Sequence, residues 1–321
     1  DRTRARRRRR QVMKRACTPV DGILLLDKPA GITSNRALQE VKRAWGACKA
    51  GHTGSLDPLA TGLLPLCFGE ATKVSGFMLT ADKSYWAQIR LGVVTTTYDA
   101  AGEIVQTRPV AITRAQLQAA IAALVGDLEQ VPPMFSALKQ QGQPLYKRAR
   151  AGITVERMPR RIRIYRAELL NFSGDIVEVS LHCSKGTYVR SWAYDLGESL
   201  GCGAHIAALR RTGLGRFDVE RAIPLSLATS RRPVEMLLSL DEALGDLPSL
   251  VLPAAAARKV QQGQAVYVGP SAAAANAIRL YDESRVFLGI GQADDGWIRA
   301  KRLCAVDVTG GKSVEAVGSG G

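Results

Sequence analysis

The sequence predicts an α+β protein in two domains, and three observations carry that expectation. Residues 84–91 alternate, with Tyr85, Ala87, Ile89 and Leu91 on one side and Trp86, Gln88 and Arg90 on the other, the period of a half-buried strand. Two other stretches repeat apolar residues at helical spacing: Ala37, Leu38, Val41 and Trp45, then Leu117, Ala120, Ile121 and Leu124. Beyond about residue 250 short β-like runs (265–268, 277–281, 286–290, 297–303) are divided by glycines or acidic turns, the pattern of a small all-β appendage. A chain of 321 residues has room for a large first domain and this smaller second one.

In chain order, the first segment is a run of arginines (Arg2, Arg4, Arg6 to Arg10) with Lys14 and Arg15. Such a run cannot bury surface and is expected to form a disordered basic arm over residues 1–20. Gly22 to Leu26 reads as a buried strand that turns at Asp27-Lys28-Pro29. A helix follows, capped by Thr33 or Ser34. Leu63 to Phe68 is apolar, and Gly69 to Lys73 leads into a short helix. After strand 84–91, residues 92–102 form a long polar connection. Thr113 and Gln116 have the spacing of a capping box, opening a helix that Gly126 ends.

Pro132-Pro133 opens a segment of different character. From Lys139 to Arg166 the charges are Lys139, Lys147, Arg148, Arg150, Arg157, Arg160, Arg161, Arg163 and Arg166 against Glu156, with Tyr146 and Tyr165 interleaved. That density suits a phosphate-binding surface better than an ordinary solvated face. Residues 161–171 and 176–182 read as a hairpin, and 189–200 as a helix with Arg190 in its first turn, stopped by Gly201-Cys202-Gly203. Residues 204–211 are expected to be a short helical stretch, and 220–244 connecting helices.

Composition narrows the function classes. A formal net charge of +15 favours a polyanionic partner, nucleic acid above all. No stretch reaches the roughly 18–20 apolar residues of a membrane span, and no apolar segment follows the N-terminal arginines as in a secretory signal. Six scattered cysteines (Cys17, Cys48, Cys67, Cys183, Cys202, Cys304) contain no C-x-x-C pair and read as reduced thiols of a cytoplasmic protein. His52, His182 and His205 lack ligand spacing with them, so no metal is expected.

The stretch with most chemical content is Gly51-His-Thr-Gly-Ser-Leu-Asp-Pro-Leu-Ala-Thr-Gly62. Glycines at 51, 54 and 62 allow sharp turns or close approach of a ligand. Pro58 biases Asp57 away from the α region. Asp-Pro is a common turn initiator, so Asp57 is either a turn former or a working carboxylate, and the residues alone leave both open. No P-loop and no internal repeat are present.

That loop, together with Leu25 to Pro29, Gly69 to Lys73, Lys83-Ser-Tyr85, Gly92 to Asp99, Pro133 to Lys139, Leu145-Tyr146, Ala149-Arg150, Cys183 to Arg190 and Leu196 to His205, resembles the TruB family of bacterial tRNA pseudouridine-55 synthases. The resemblance runs over about two-thirds of the chain, and a dozen adjoining residues in one loop make it specific. It implies a pseudouridine-synthase catalytic domain over 21–249 with a mixed, mainly antiparallel central sheet and an RNA-gripping insertion near 133–166. A PUA-like C-terminal domain over 250–315 completes the implied architecture. The implied reaction breaks the N1–C1′ bond of a T-loop uridine, turns the uracil and joins C5 to C1′.

By resemblance, Asp57 is the catalytic aspartate, Tyr85 packs on the target base, and Arg190 pairs with Asp57. His52 contacts the RNA, Leu209 lines the pocket, and Asp99 is an acidic group of the cleft. The segment with Lys139, Tyr146 and Arg150 closes over the T-arm, while Lys28, Arg210 and Arg211 are candidates for phosphate contacts. The residue types suit the chemistry independently. An isomerisation without net redox change needs no cofactor, and an ionised carboxylate can attack C1′ or act as the base that starts glycal formation. A uridine inside a folded loop must be flipped out to reach Asp57. The expected protein is a monomer with tRNA as partner, needing no guide RNA, protein partner or membrane. The rival readings are an RNA-binding chaperone with a spent site, and a guide-dependent relative working inside a ribonucleoprotein.

Overall fold

The structure is a computed structural model that describes residues 17–304 apart from 137, 141, 154, 233 and 270–273. The basic arm expected before residue 17 and the chain beyond 304 lie outside the described residues. Two compact units divide the chain, one running to Leu237 and the other from Leu238.

The first unit is built on strands β1 (Gly22–Lys28), β2 (Ala50–His52), β3 (Thr61–Phe68) and β4 (Lys83–Leu91). A small ladder of β5 (Val93–Thr95) and β6 (Ile104–Thr107) and the strand β7 (Gly126–Gln130) follow. A two-residue ladder, β8 (Lys139–Gln140) with β9 (Gln143–Pro144), precedes β10 (Arg160–Ser173), β11 (Ile176–Cys183) and β12 (Ala204–Leu214). Short strands β13 (Phe217–Asp218) and β14 (Ile223–Pro224) end the unit. Among the described residues the main sheet has ten strands in the order β14-β1-β3-β12-β4-β11-β10-β7, with β2 beside β3 and β13 beside β12. The pairs β1–β14 and β3–β12 are parallel and the rest antiparallel, so the sheet is mixed and mainly antiparallel as the family resemblance implies.

The helices of this unit are α1 (Ser34–Ala44), α2 (Ser75–Leu79), α3 (Arg114–Ala123), α4 (Leu145–Arg150), α5 (Val189–Ser199) and α6 (Leu225–Ser230). Thr33 caps α1 by accepting from the Arg36 amide, and Thr113 and Gln116 complete both halves of the capping box on α3. The inward face of β4 (Tyr85, Ala87, Ile89, Leu91) joins Val177, Val179 and Leu181 of β11 in the core, and Trp192 and Leu196 of α5 are buried in the same cluster. Trp45 caps α1, stacks on Phe68 with ring centroids 4.7 Å apart, and donates its indole N–H to Ala228 O at 2.7 Å.

Three expectations are corrected. Residues 204–211 are the first part of a strand, β12, and not a helix. Ala204, His205 and Ile206 are all buried, and the register shifts between Ile206 and Ala208 and places Leu209 inward, which hides the period of two and mimics a helical spacing of three. Residues 92–102 are only partly irregular, since β5 pairs with β6 across them. The six cysteines are not all reduced: Cys17 and Cys48 form a disulfide, brought together where Thr18 bridges Ala47. Cys67, Cys183 and Cys202 are buried free thiols.

The second unit holds a five-stranded sheet ordered β15 (Ser249–Val251), β17 (Ala275–Tyr281), β18 (Phe287–Asp294), β19 (Trp297–Leu303) and β16 (Val266–Tyr267). The helix α7 (Leu240–Ala243) precedes this sheet, and α8 (Ala254–Gln261) buries Ala257 and Val260 in a core with Leu280, Leu288 and Ile298. This unit starts before the change of pattern near 250. Arg279 donates to Asp241 at 2.8 Å and to Leu247 O at 3.0 Å, which ties residues 241–247 to β17.

Candidate active site

The loop between β2 and β3 is held in shape from several sides. The Ser34 hydroxyl at the start of α1 accepts from the Leu56 amide at 2.7 Å and lies 3.1 Å from Leu56 O. Gly31 N–H donates to Pro58 O, Thr53 N–H to Pro65 O, and Ala60 N–H to Asp57 O. Beneath it Lys28 is fully buried and donates to Pro29 O at 2.8 Å and Ile32 O at 2.7 Å. Where the loop enters β3, Gly62 adopts φ +99°, and a Cβ there would meet Arg211 O at 2.3 Å. Only glycine lets β3 and β12 come this close.

Asp57 stands in this loop at the floor of a cavity of about 320 Å³. Tyr85 from β4, Arg190 from α5 and Leu209 and Arg211 from β12 line the same cavity. Five predicted site residues separated by up to 154 positions thus converge on one space, Asp57, Tyr85, Arg190, Leu209 and Arg211. Arg190 is 4% exposed, and its Nε lies 2.9 Å from Asp57 Oδ2. That N–H is not aligned on the carboxylate, so the contact is charge pairing more than a formed hydrogen bond. Arg190 is clamped by donating from Nη1 to Thr97 O at 2.9 Å and from Nη2 to Phe135 O at 2.8 Å. Its Nη1 is also 3.6 Å from Asp99 Oδ2, so one guanidinium serves two carboxylates. Asp99 is fixed in turn by accepting from Thr97 Oγ1 at 2.6 Å and from the Ala101 amide at 3.0 Å.

The electrostatics follow from this packing. Enclosure by the cavity walls pushes the Asp57 carboxyl above its ordinary range, Arg190 opposes that, and the neighbouring Asp99 charge adds to it. The carboxyl remains open toward the cavity, with 41% of its side chain exposed, so its charged form is reachable by a substrate. Tyr85 is 8% exposed, and burial pushes its phenol up while Arg211 pulls it down. Burial lowers Lys28 to about 8.

The other predicted residues are placed differently. Lys28 and Arg211 are 0% and 1% exposed and donate to backbone carbonyls in and around the loop, so burial keeps both from the surface where a phosphate contact is made. Arg210 is half-buried and forms a two-pronged pair with Asp27, at 3.0 and 2.7 Å, beside a second cavity of about 530 Å³. His52 ends β2, where burial lowers its pKa, and its Nδ1 is buried without a partner. Asp99 lies behind Arg190 and outside the cavity lining. The backbones of Lys139, Tyr146 and Arg150 belong to β8 and α4, and their side chains lie outside what is described. Sequence reasoning missed Lys83 and Tyr188 as lining residues. The signal was present, because Lys83 precedes Tyr85 by two and Tyr188 precedes Arg190 by two in stretches already singled out.

Similarity to known proteins covers most of the chain. Residues 42–189 match the family described as TruB family pseudouridylate synthase (N terminal domain). Residues 190–244 match tRNA pseudouridylate synthase B C-terminal domain, and 248–304 match Pseudouridine synthase II TruB, C-terminal. A tRNA pseudouridine synthase B of Vibrio atlanticus is 48% identical over 304 residues, covering 90% of this chain and 96% of that protein. One of Aromatoleum aromaticum is 50% identical over 299 residues, covering 92% and 96%. Among solved structures, a chain from an H/ACA RNP bound to a substrate RNA containing 2'-deoxyuridine shares the fold with TM-score 0.68 at 21% identity, covering 88% of this chain and 85% of that one.

Proposed function

The chain belongs to the TruB family and is a tRNA pseudouridine synthase, an isomerase, and on that premise we propose that it converts the T-loop uridine at tRNA position 55 without guide RNA. Asp57 is the group that acts on the glycosidic bond. The observation that carries the assignment is its position: a carboxylate at the floor of a cavity, 2.9 Å from a buried arginine and facing the same space as a buried tyrosine.

The reaction requires a flipped base, because its N1–C1′ bond is out of reach inside a stacked loop. The cavity wall offers Tyr85 and Leu209 as flat and apolar contacts for the extruded uracil. Asp57 then meets C1′ as a nucleophile or takes a proton to start glycal formation, and either route needs the ionised carboxylate. Arg190 favours that form against the effect of burial. Tyr85 lies against the base at the side where C5 must lose its proton after the new bond forms. The chemistry returns all atoms of uridine to the product, so it consumes no redox cofactor. The basic residues between Lys139 and Arg166 grip the T-arm backbone. Among the described residues no helix is long and apolar enough to cross a membrane. A cytoplasmic monomer acting on free tRNA fits the proposed reaction.

The test uses the purified chain alone and a T-arm transcript, with pseudouridine mapped by site. Modification of the T-loop uridine by wild type, and none by Asp57→Asn with the RNA still bound, is the expected outcome. Binding without modification by wild type would favour the chaperone reading. Activity that appears only on adding a guide RNA would favour the ribonucleoprotein reading.

A further inference from the structure

Two charged lining groups, Lys83 and Arg211, have no task in the reaction above, and Arg211 is the more deeply buried of them. It lies on β12, directly across from Tyr85 of β4 on one side and Gly62 of β3 on the other. Its Nε donates to Leu63 O at 2.7 Å, in β3 just past the Asp57 loop, and its Nη2 to Gly54 O at 3.1 Å, near the start of that loop. Among the described residues no carboxylate pairs with it. The titratable groups that face it are Lys28 of β1, His52 of β2, and Lys83 and Tyr85 of β4, and only the tyrosine can favour its charge. A guanidinium with five donors has hydrogen-bonding capacity left after two backbone contacts. Gly54 leaves it room, since even a Cβ there would stand 3.4 Å from Nη1.

We propose that Arg211 is a positioning residue for the reaction: it locks the Asp57 loop to β12 and donates to the Tyr85 hydroxyl oxygen, so that loop and phenol are set by one side chain. The role rests on the reading of Tyr85 as a group of the pseudouridine reaction. With one lone pair of the phenol oxygen occupied by the guanidinium, the O–H must turn away from Arg211, toward the cavity where the base would lie. The same cation stabilises negative charge on that oxygen and so counters the upward push of burial. Three acceptors arranged around one group call for a planar fork, which a lysine ammonium does not supply.

Two measurements test this. In the RNA-free protein, tyrosine labelled at 13Cζ is followed through pH in wild type, Arg211→Lys and Arg211→Met, with Tyr85→Phe identifying the signal. Loss of the donor is expected to move the Tyr85 ionisation upward, by about one pH unit or more in Arg211→Met; where Tyr85 stays neutral over the folded range, its neutral-state 13Cζ shift is expected to change. Should Arg211→Met not fold, Arg211→Lys gives the reading. An unchanged Tyr85 signal overturns the proposal, and does so without reference to any RNA. Second, in single-turnover assays Arg211→Lys is expected to lose about 10–100-fold in kcat with KM within about threefold. In a Tyr85→Phe background the same substitution should cost much less. Equal losses in both backgrounds mean that Arg211 acts only as a structural tie, and the proposal fails. Absence of pseudouridine formation in wild type would sink the function proposed above and leave the resonance result standing.

Discussion

The two buried arginines of the pocket come from different walls, one helical and one of sheet, and make opposite bargains with their surroundings. Arg190, on the α5 side, stands between Asp57 and Asp99 and lies within 3.6 Å of both. Arg211, on the β12 side, is as deeply buried but donates to backbone carbonyls, stands across the strands from Tyr85, and among the described residues pairs with no carboxylate. Removing a buried charge from water costs several kcal/mol, and each wall offsets that differently, one by ion pairing and the other by dipoles. One wall is therefore built to govern a carboxylate, and the other to govern a loop and a hydroxyl.

Substitutions test that contrast, and the largest effect belongs to the carboxylate itself. Asp57→Asn is expected to lower the single-turnover rate by about 10⁴-fold or more, with T-arm affinity kept within about threefold. Retained affinity, measured by filter binding, would separate chemistry from recognition. Arg190→Met comes next. It leaves two facing carboxylates without their cation, so a rate loss of about 10²–10³-fold and a stability loss of about 3–5 kcal/mol by denaturant titration are expected.

The pH profile reads the same wall more finely. The active form of Asp57 is charged, and its pKa is raised, so activity should fall with decreasing pH through a midpoint above the ordinary aspartate range. Arg190→Lys retains a cation but loses the clamp, and should move that acid limb to higher pH. Asp99→Asn removes a like charge and should move it to lower pH, with a rate loss of about tenfold. If both variants shift the limb in the same direction, the picture of one arginine shared by two carboxylates is wrong. The smallest effect lies far from both walls. Thr113→Ala should cost about 1 kcal/mol by removing the α3 capping box and leave the pH profile untouched.

Much of this site was legible in the sequence. The loop 51–62 announced itself by its glycines and Asp-Pro pair, and the apolar alternation around Tyr85 put that residue on an inward face. What the chain alone could not give was the company each charge keeps. Lys28, Arg210 and Arg211 look alike in a basic sequence, yet one is sealed under the loop, one is paired with Asp27 and one spans the loop to β12. Sheet order decides these fates, and strands 150 residues apart become neighbours only in three dimensions. The misreading of 204–211 has the same root: a register shift at one residue erased the period-two pattern that would have exposed the strand. The Cys17–Cys48 pairing was equally hidden, because no short Cys spacing marks two segments that meet at an isolated bridge.

The mutual hydrogen bonds between Ser34 and Leu56, with Gly31, Lys28 and Arg211 closing the other sides, have a thermodynamic consequence for substrate capture. Ordering a flexible loop costs about 1–2 kcal/mol per residue in lost backbone freedom. Here that loss falls within folding, long before any RNA arrives. The encounter then begins with the carboxylate already aimed, and the free energy of gripping the T-arm is left for the one expensive act of the encounter, drawing a uridine out of its stack.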